Sequence, residues 1–222
     1  MEKKESNKKE SPKKNNNISP KISGLSDKAF GVIKLILGIC LLPFVYSFTV
    51  GFLNEFSLIE KAIQRYFWSG AISLVIIYLV VWEPVILYTR GQKLIEIVFV
   101  FFRPLVKFAP FVLPIYTIIL FILYGLLSST GSASVLNVLI FLIGFSAALH
   151  LVFSAKAVRS KQGDFLKANY IFGFSLIYII NVVLLAIGLN LIFREFSLVN
   201  FFNNSLQITN SIFYAVFKQL FL

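Results

Sequence analysis

Two ionisable residues lie inside long apolar runs and are the first candidates for chemistry. Glu83 precedes Arg90 by seven residues, and His150 precedes Lys156 by six. A charged group in the hydrocarbon layer is costly, so such residues mark a site, a proton path or a buried hydrogen bond. If both runs cross the membrane in the same direction, the two side chains lie about 10 Å from the inner boundary. The pattern predicts a polar pair, either a structural hydrogen bond between spans or a proton-relay, substrate or metal site.

Prolines and one amide accompany this pair. Pro84 follows the glutamate directly and predicts a kink, because proline removes a backbone donor. Pro110 and Pro114 stand four residues apart and predict that the third apolar run opens at its inner end, with Tyr116 as a lining residue. Asn181, well inside the last apolar run, predicts a hydrogen bond to another span.

The counts of cysteine and histidine restrict the metal chemistry. The chain has one cysteine, Cys40, and one histidine, His150. An intramolecular disulfide, a cysteine-based cluster and the usual three-histidine zinc site are therefore excluded. We expect no cofactor, with zinc as the alternative.

The composition predicts an integral membrane protein. Of 222 residues, 58% are hydrophobic and 14% charged, and the mean hydropathy is +0.83. Soluble domains contain roughly 45–50% apolar and 25% charged residues. The net charge of +11 comes from blocks of basic residues beside apolar runs, which favours membrane orientation over nucleic-acid binding.

Five apolar runs are long enough to cross about 30 Å of hydrocarbon as helices. The amino-terminal tail and the second and fourth loops are net positive, so we expect them in the cytoplasm. The sequence predicts an all-α protein with five transmembrane helices, its N-terminus inside, its C-terminus outside, and a multi-pass position in the inner membrane of a cell. The runs are Phe30–Val50, Phe67–Tyr88, Phe108–Leu127, Val135–Phe153 and Tyr170–Phe193.

The regions outside the spans predict three further features. Residues 1–28 are lysine-rich and nearly free of apolar residues, which is typical of a disordered cytoplasmic tail; the transmembrane domain follows over 29–193. Gln92–Arg103 is too short to span and predicts a surface-bound or re-entrant segment. In 194–222, apolar residues from Leu206 to Phe221 recur at helical spacing, which predicts an external tail with an amphipathic helix on the outer surface or facing a partner.

Four short motifs lie in and between the later apolar runs, in Phe108–Thr117, Leu142–Leu151, Lys161–Asp164 and Ile180–Asn181. They resemble a family of bacterial multi-pass membrane metallopeptidases, which is similar to the site-2 type of intramembrane protease. The similarity covers roughly residues 70 to 190. That family carries a His-Glu-x-x-His helix in its second span, where the histidines bind zinc and the glutamate activates water.

The chain departs from this family at the zinc motif. With Glu83 at the glutamate position, Trp82 and Ile86 occupy the two ligand positions, and neither can coordinate a metal. The resemblance leaves Glu83 as a candidate or vestigial base, with His150 and Asp164 as accessory or metal-ligand candidates. It implies a protease scaffold with a degenerate active site.

Three functions remain open from the sequence. The first is a non-catalytic scaffold that binds other membrane proteins or segments within the bilayer. The second is an active intramembrane metallopeptidase with an unusual ligand set, using Glu83, His150 and Asp164. The third is a small proton-coupled transporter or channel gated by Glu83 and His150.

Overall fold

The computed structural model describes residues 19–81, 112–160 and 170–221, with side chains for 31–80, 112–159 and 170–221. All regular structure in these ranges is helical, as the sequence predicts. The six helices are α1 (Ser19–Phe56), α2 (Lys61–Val81), α3 (Ile115–Leu127), α4 (Ala133–Ser160), α5 (Tyr170–Ile192) and α6 (Leu198–Phe221).

Four of these helices are long and apolar enough to cross a membrane, which confirms a multi-pass membrane architecture. They are α1 from Gly31, α2, α4 and α5. The predicted end of the third run at Leu127 agrees with the structure, and the fifth run, predicted to end at Phe193, ends one residue earlier at Ile192. Within the described part of the third run, α3 has 13 residues, about 20 Å, so this helix does not span the hydrocarbon by itself. The sidedness of the helices stays a prediction.

Helix α1 covers the first predicted run and extends beyond it on both sides, from Ser19 to Phe56, and it continues through Pro43. The disordered tail predicted for residues 1–28 stays a prediction, because most of it lies outside the described residues. Other sequence predictions lie outside the described residues. These are Glu83, Pro84, Pro110, Asp164 and the segment 92–103.

An aromatic core joins the helices near the turn between α1 and α2. The ring centroids of Phe52 and Phe56 are 5.5 Å apart, and those of Phe56 and Phe67 are 5.0 Å apart. Phe196 and Phe201, which flank the start of α6, are almost completely buried in the same core. Because these rings come from both ends of the chain, they fix α1, α2 and α6 to one another.

Helices α2 and α4 run parallel and cross at two glycines. A Cβ atom on Gly144 would lie 2.9 Å from the carbonyl carbon of Phe67, and one on Gly70 would lie 2.9 Å from that of Phe141. Further along, the ammonium group of Lys156 lies 5.0 Å from the Tyr78 ring centroid. Such close backbone approach needs small residues at the crossing, as is common between membrane helices.

Helix α6 lies lengthwise and antiparallel against α1. Gly51 of α1 meets Ser205 of α6, and the rings of Phe44 and Phe213 are 5.8 Å apart. Successive turns of α1 towards its N-terminus therefore lie beside successive turns of α6 towards its C-terminus. The amphipathic helix predicted for the C-terminal region is present, and α1 is the helix on which it packs.

Candidate functional site

The third apolar run is interrupted where the sequence predicts an opening. Val112 is helical, the chain leaves the helix at Leu113, and Pro114 stands immediately before α3. The Ile115 amide donates to the Leu113 carbonyl at 2.9 Å, a turn-like bond that replaces the regular helical pattern. A break at membrane depth exposes backbone groups, and these have to find partners inside the protein.

Side chains from α4 and α5 converge on this break. The Asn181 amide of α5 donates to the Val112 carbonyl at 3.2 Å and to the Ile177 carbonyl at 2.7 Å. The imidazole of His150, on α4, is also hydrogen-bonded to the backbone of Val112. Its Nε2 atom lies 3.3 Å from the Ser154 hydroxyl, one turn further along α4. We call Val112, His150, Ser154 and Asn181 the His150 cluster.

The His150 cluster is shielded from the surroundings of the protein. His150 is 1% exposed, Asn181 is 2% exposed and Ser154 is fully buried. Polar groups buried to this extent are stable only when hydrogen-bonded. The prediction that Asn181 bonds to another span is confirmed. The predicted contact between Glu83 and His150 stays a prediction, because Glu83 lies outside the described residues.

A second polar contact joins α3 to α4 about one turn before His150. The hydroxyl oxygens of Thr117 and Ser146 are 2.9 Å apart, and the Ser146 hydroxyl donates to the Ile143 carbonyl. Since Ser146 has a single hydroxyl proton, Thr117 is the donor of the bond between the two helices. Tyr116, the predicted lining residue, is half-buried beside this contact.

The described donors do not fit a metal site. Within the described ranges, no group of three His, Cys, Asp or Glu side chains comes together. The ring of His150 is engaged by Ser154 and by the Val112 backbone. The hydrogen bonds of the cluster join the interrupted third run to α4 and α5. Whether the whole chain binds a metal stays a prediction.

One buried carboxylate was not singled out from the sequence. Glu55, near the end of α1, is 3% exposed, and its Oε2 accepts a hydrogen bond of 3.2 Å from the Ser197 backbone amide. The Ser197 hydroxyl in turn accepts a hydrogen bond from the Asn200 backbone N–H and caps α6. In the sequence Glu55 is indistinguishable from a loop residue, because its partner lies 142 positions away.

The side of α6 that faces away from α1 carries an unusual row of residues. The row advances in alternating steps of three and four residues, and every member is exposed. Its first four members are amides and its last three are aromatic. We call this row the α6 seam. It consists of Asn200, Asn203, Gln207, Asn210, Tyr214, Phe217 and Phe221.

Comparison with known proteins finds no relative. No protein-family model, curated protein or solved structure matches the chain. A functional interpretation therefore rests on the residues and their geometry.

Proposed function

We propose that this protein is a non-catalytic scaffold of the membrane that binds membrane-embedded parts of other protein chains. The observation that carries the proposal is the α6 seam, a row of exposed amides on a helix that packs against a membrane-length helix. The proposal also includes that the protein is a degenerate relative of the membrane metallopeptidases, with Glu83 as a vestigial base. It further includes location in a bacterial inner membrane.

The packing of α6 supports a role in assembly. An amide placed in hydrocarbon without a hydrogen-bond partner costs several kcal/mol. The four amides of the seam project away from α1, whereas Phe201, Ser205 and Thr209 of the same helix are buried against the rest of the protein. A surface of this kind is stable in a bilayer when a second protein surface supplies the missing partners.

The His150 cluster supports the non-catalytic side of the proposal. Its imidazole and hydroxyl contact each other on α4, and the imidazole and the Asn181 amide both bond to the broken backbone at Val112. A catalytic imidazole needs access to substrate or water, whereas His150 is 1% exposed. His150 is therefore proposed to be a structural residue whose hydrogen bonds fix the shape of the scaffold.

Site-specific photocrosslinking in membranes tests this proposal. A benzophenone amino acid replaces Gln207 in the seam, and in a matched control it replaces Ile122, an exposed residue of α3. We expect a covalent protein adduct at Gln207 and no protein adduct at Ile122, which faces lipid. Absence of any protein adduct at Gln207 would contradict the proposal.

A further inference from the structure

The spacing of the α6 seam is that of a helix that pairs with another helix. Steps of three and four residues average 3.5, the repeat of a two-stranded left-handed coiled coil. The seam keeps this repeat without interruption from Asn200 to Phe221, along nearly the whole helix. Residues at these positions form one narrow line and contact a single partner helix.

The seam lies at the depth of the membrane-length part of α1. The pairs Gly51–Ser205 and Phe44–Phe213 set the register of the two antiparallel helices. At that register, Phe221 is level with about Leu35, near the start of the apolar stretch that begins at Gly31. Helix α6 therefore runs beside the α1 span. At the same register Asn200 and Asn203 are level with the far end of that span, near Phe56 and Leu53. Gln207 and Asn210 lie inside it, level with about Thr49 and Tyr46, where an amide has no water to bond.

The chemistry of the seam identifies the partner. An amide is both a donor and an acceptor, so a row of amides is complementary to a copy of itself. The amides occupy the first half of the seam and the aromatic rings the second half. Two parallel copies align amides with amides and rings with rings, whereas two antiparallel copies would oppose amides to rings.

We propose that two copies of this chain pair in parallel through their α6 seams, about a two-fold axis along the membrane normal. The proposal rests on the scaffold function proposed above and names its partner. The opposite face of α6 is already fixed, because Gly51 allows Ser205 to approach α1 closely. The seam is thus presented on a helix held by the protein's own core.

The proposed pairing puts the C-terminus on the opposite side of the membrane from the sequence prediction. That prediction has α6 on the outer surface of the membrane. In the proposed dimer α6 crosses the bilayer beside α1, so the C-terminus lies on the same side as the start of α1. The amides lower the hydropathy of α6 below that of a lipid-facing span, which is why composition by itself does not mark it as one.

Disulfide crosslinking in isolated membranes tests the dimer. Cys40 is exposed, so it is first replaced by alanine in the full-length chain. Single cysteines then replace Asn203 and Phe217 in the seam, and Leu206 beside it. Leu206 is a matched control, because it is exposed at nearly the depth of Asn203, and cysteines on the flanks of such a pair are too far apart for a disulfide.

We expect oxidation to give a disulfide-linked dimer of this chain with N203C and with F217C, at least tenfold more than with L206C. Equal crosslinking at all three positions indicates random collision and would overturn the proposal. So would a disulfide that forms only when N203C and F217C are mixed, because that pattern belongs to an antiparallel pair.

A second measurement keeps the test independent of cysteine reactivity. Replacing both Asn203 and Gln207 by alanine removes amide pairs from the centre of the seam. Each such pair is worth a factor of roughly 3 to 30 in association, so the dimer fraction in mild detergent should fall by at least tenfold. The control Ser211→Ala, off the seam, should leave it unchanged, and an unaltered N203A/Q207A dimer would contradict the proposal.

The two proposals fail in different ways. If the photoadduct at Gln207 contains a different protein, the scaffold function stands and self-association is wrong. If no protein is found there, both are wrong.

Discussion

Replacing Gly144 by alanine is the sharpest test of how α2 and α4 are packed. A Cβ atom at this position would lie 2.9 Å from the carbonyl carbon of Phe67 and 3.2 Å from its Cα, and the carbonyl oxygen is nearer still. These are backbone atoms of another helix, so they cannot turn aside as a flexible side chain could. We expect the two helices to move apart.

The geometry sets the size of the effect. Non-bonded heavy atoms prefer a separation of about 3.5 Å, so α2 would have to withdraw by about 0.6 Å or more. A gap of that size forfeits about a quarter to a half of the dispersion energy of each contact at the crossing. Overpacking of this kind costs about 1–3 kcal/mol, which corresponds to a melting temperature lower by several degrees.

Gly125→Ala is the matched control. Gly125 lies inside α3, and nothing lies within 4 Å of a Cβ atom built on it. Alanine is the better helix former, so this variant should be as stable as the wild type or more stable by about 0.5–1 kcal/mol. Thermal unfolding in detergent, followed by circular dichroism, compares the two.

Equal melting temperatures for Gly144→Ala and Gly125→Ala would refute the close crossing of α2 and α4. A further check uses Gly70, which approaches Phe141 at the same crossing. Once one alanine has separated the helices, the second finds more room. The double variant should therefore lose less stability than the sum of the two single variants.

Three other outcomes follow from the polar contacts. Asn181→Ala removes the amide that bonds to the Val112 carbonyl and should lower the free energy of unfolding by about 1 kcal/mol; an unchanged melting temperature would mean that the bond contributes nothing. Glu55→Ala leaves the Ser197 amide without its carboxylate acceptor and should cost about 1–3 kcal/mol, whereas Glu55→Gln keeps an acceptor oxygen and should lie close to the wild type. Metal analysis of protein purified in zinc-containing buffer should find no stoichiometric transition metal; one metal per chain that is lost in His150→Ala would contradict the non-catalytic scaffold.

The sequence predicts the class and the helices of this protein well, because both depend on local properties. Long apolar runs have to be helical in a bilayer, since each backbone group then finds its partner within the run. The end of α3 at Leu127 agrees with prediction for this reason, and α5 ends at Ile192, one residue before the predicted Phe193. The same reasoning finds Asn181, because an amide inside an apolar run needs a partner wherever that partner lies.

The tertiary structure decided which surfaces meet. Gly70 appears isolated in the sequence, and its close approach to Phe141 depends on which helix α2 crosses. The sequence could not show that the Val112 carbonyl accepts the hydrogen bond of Asn181. That carbonyl is exposed by the break at Pro114, and it lies near Asn181 because of the way α5 packs.

The seam on α6 shows the same division most clearly. The steps of three and four residues from Asn200 to Phe221 are present in the sequence, but a helix has several such lines, and each is equivalent until one face is buried. Packing of Phe201, Ser205 and Thr209 against the rest of the protein selects the opposite line for exposure. Periodicity along one chain determines that a helix has faces, and contacts between distant residues determine what each face meets.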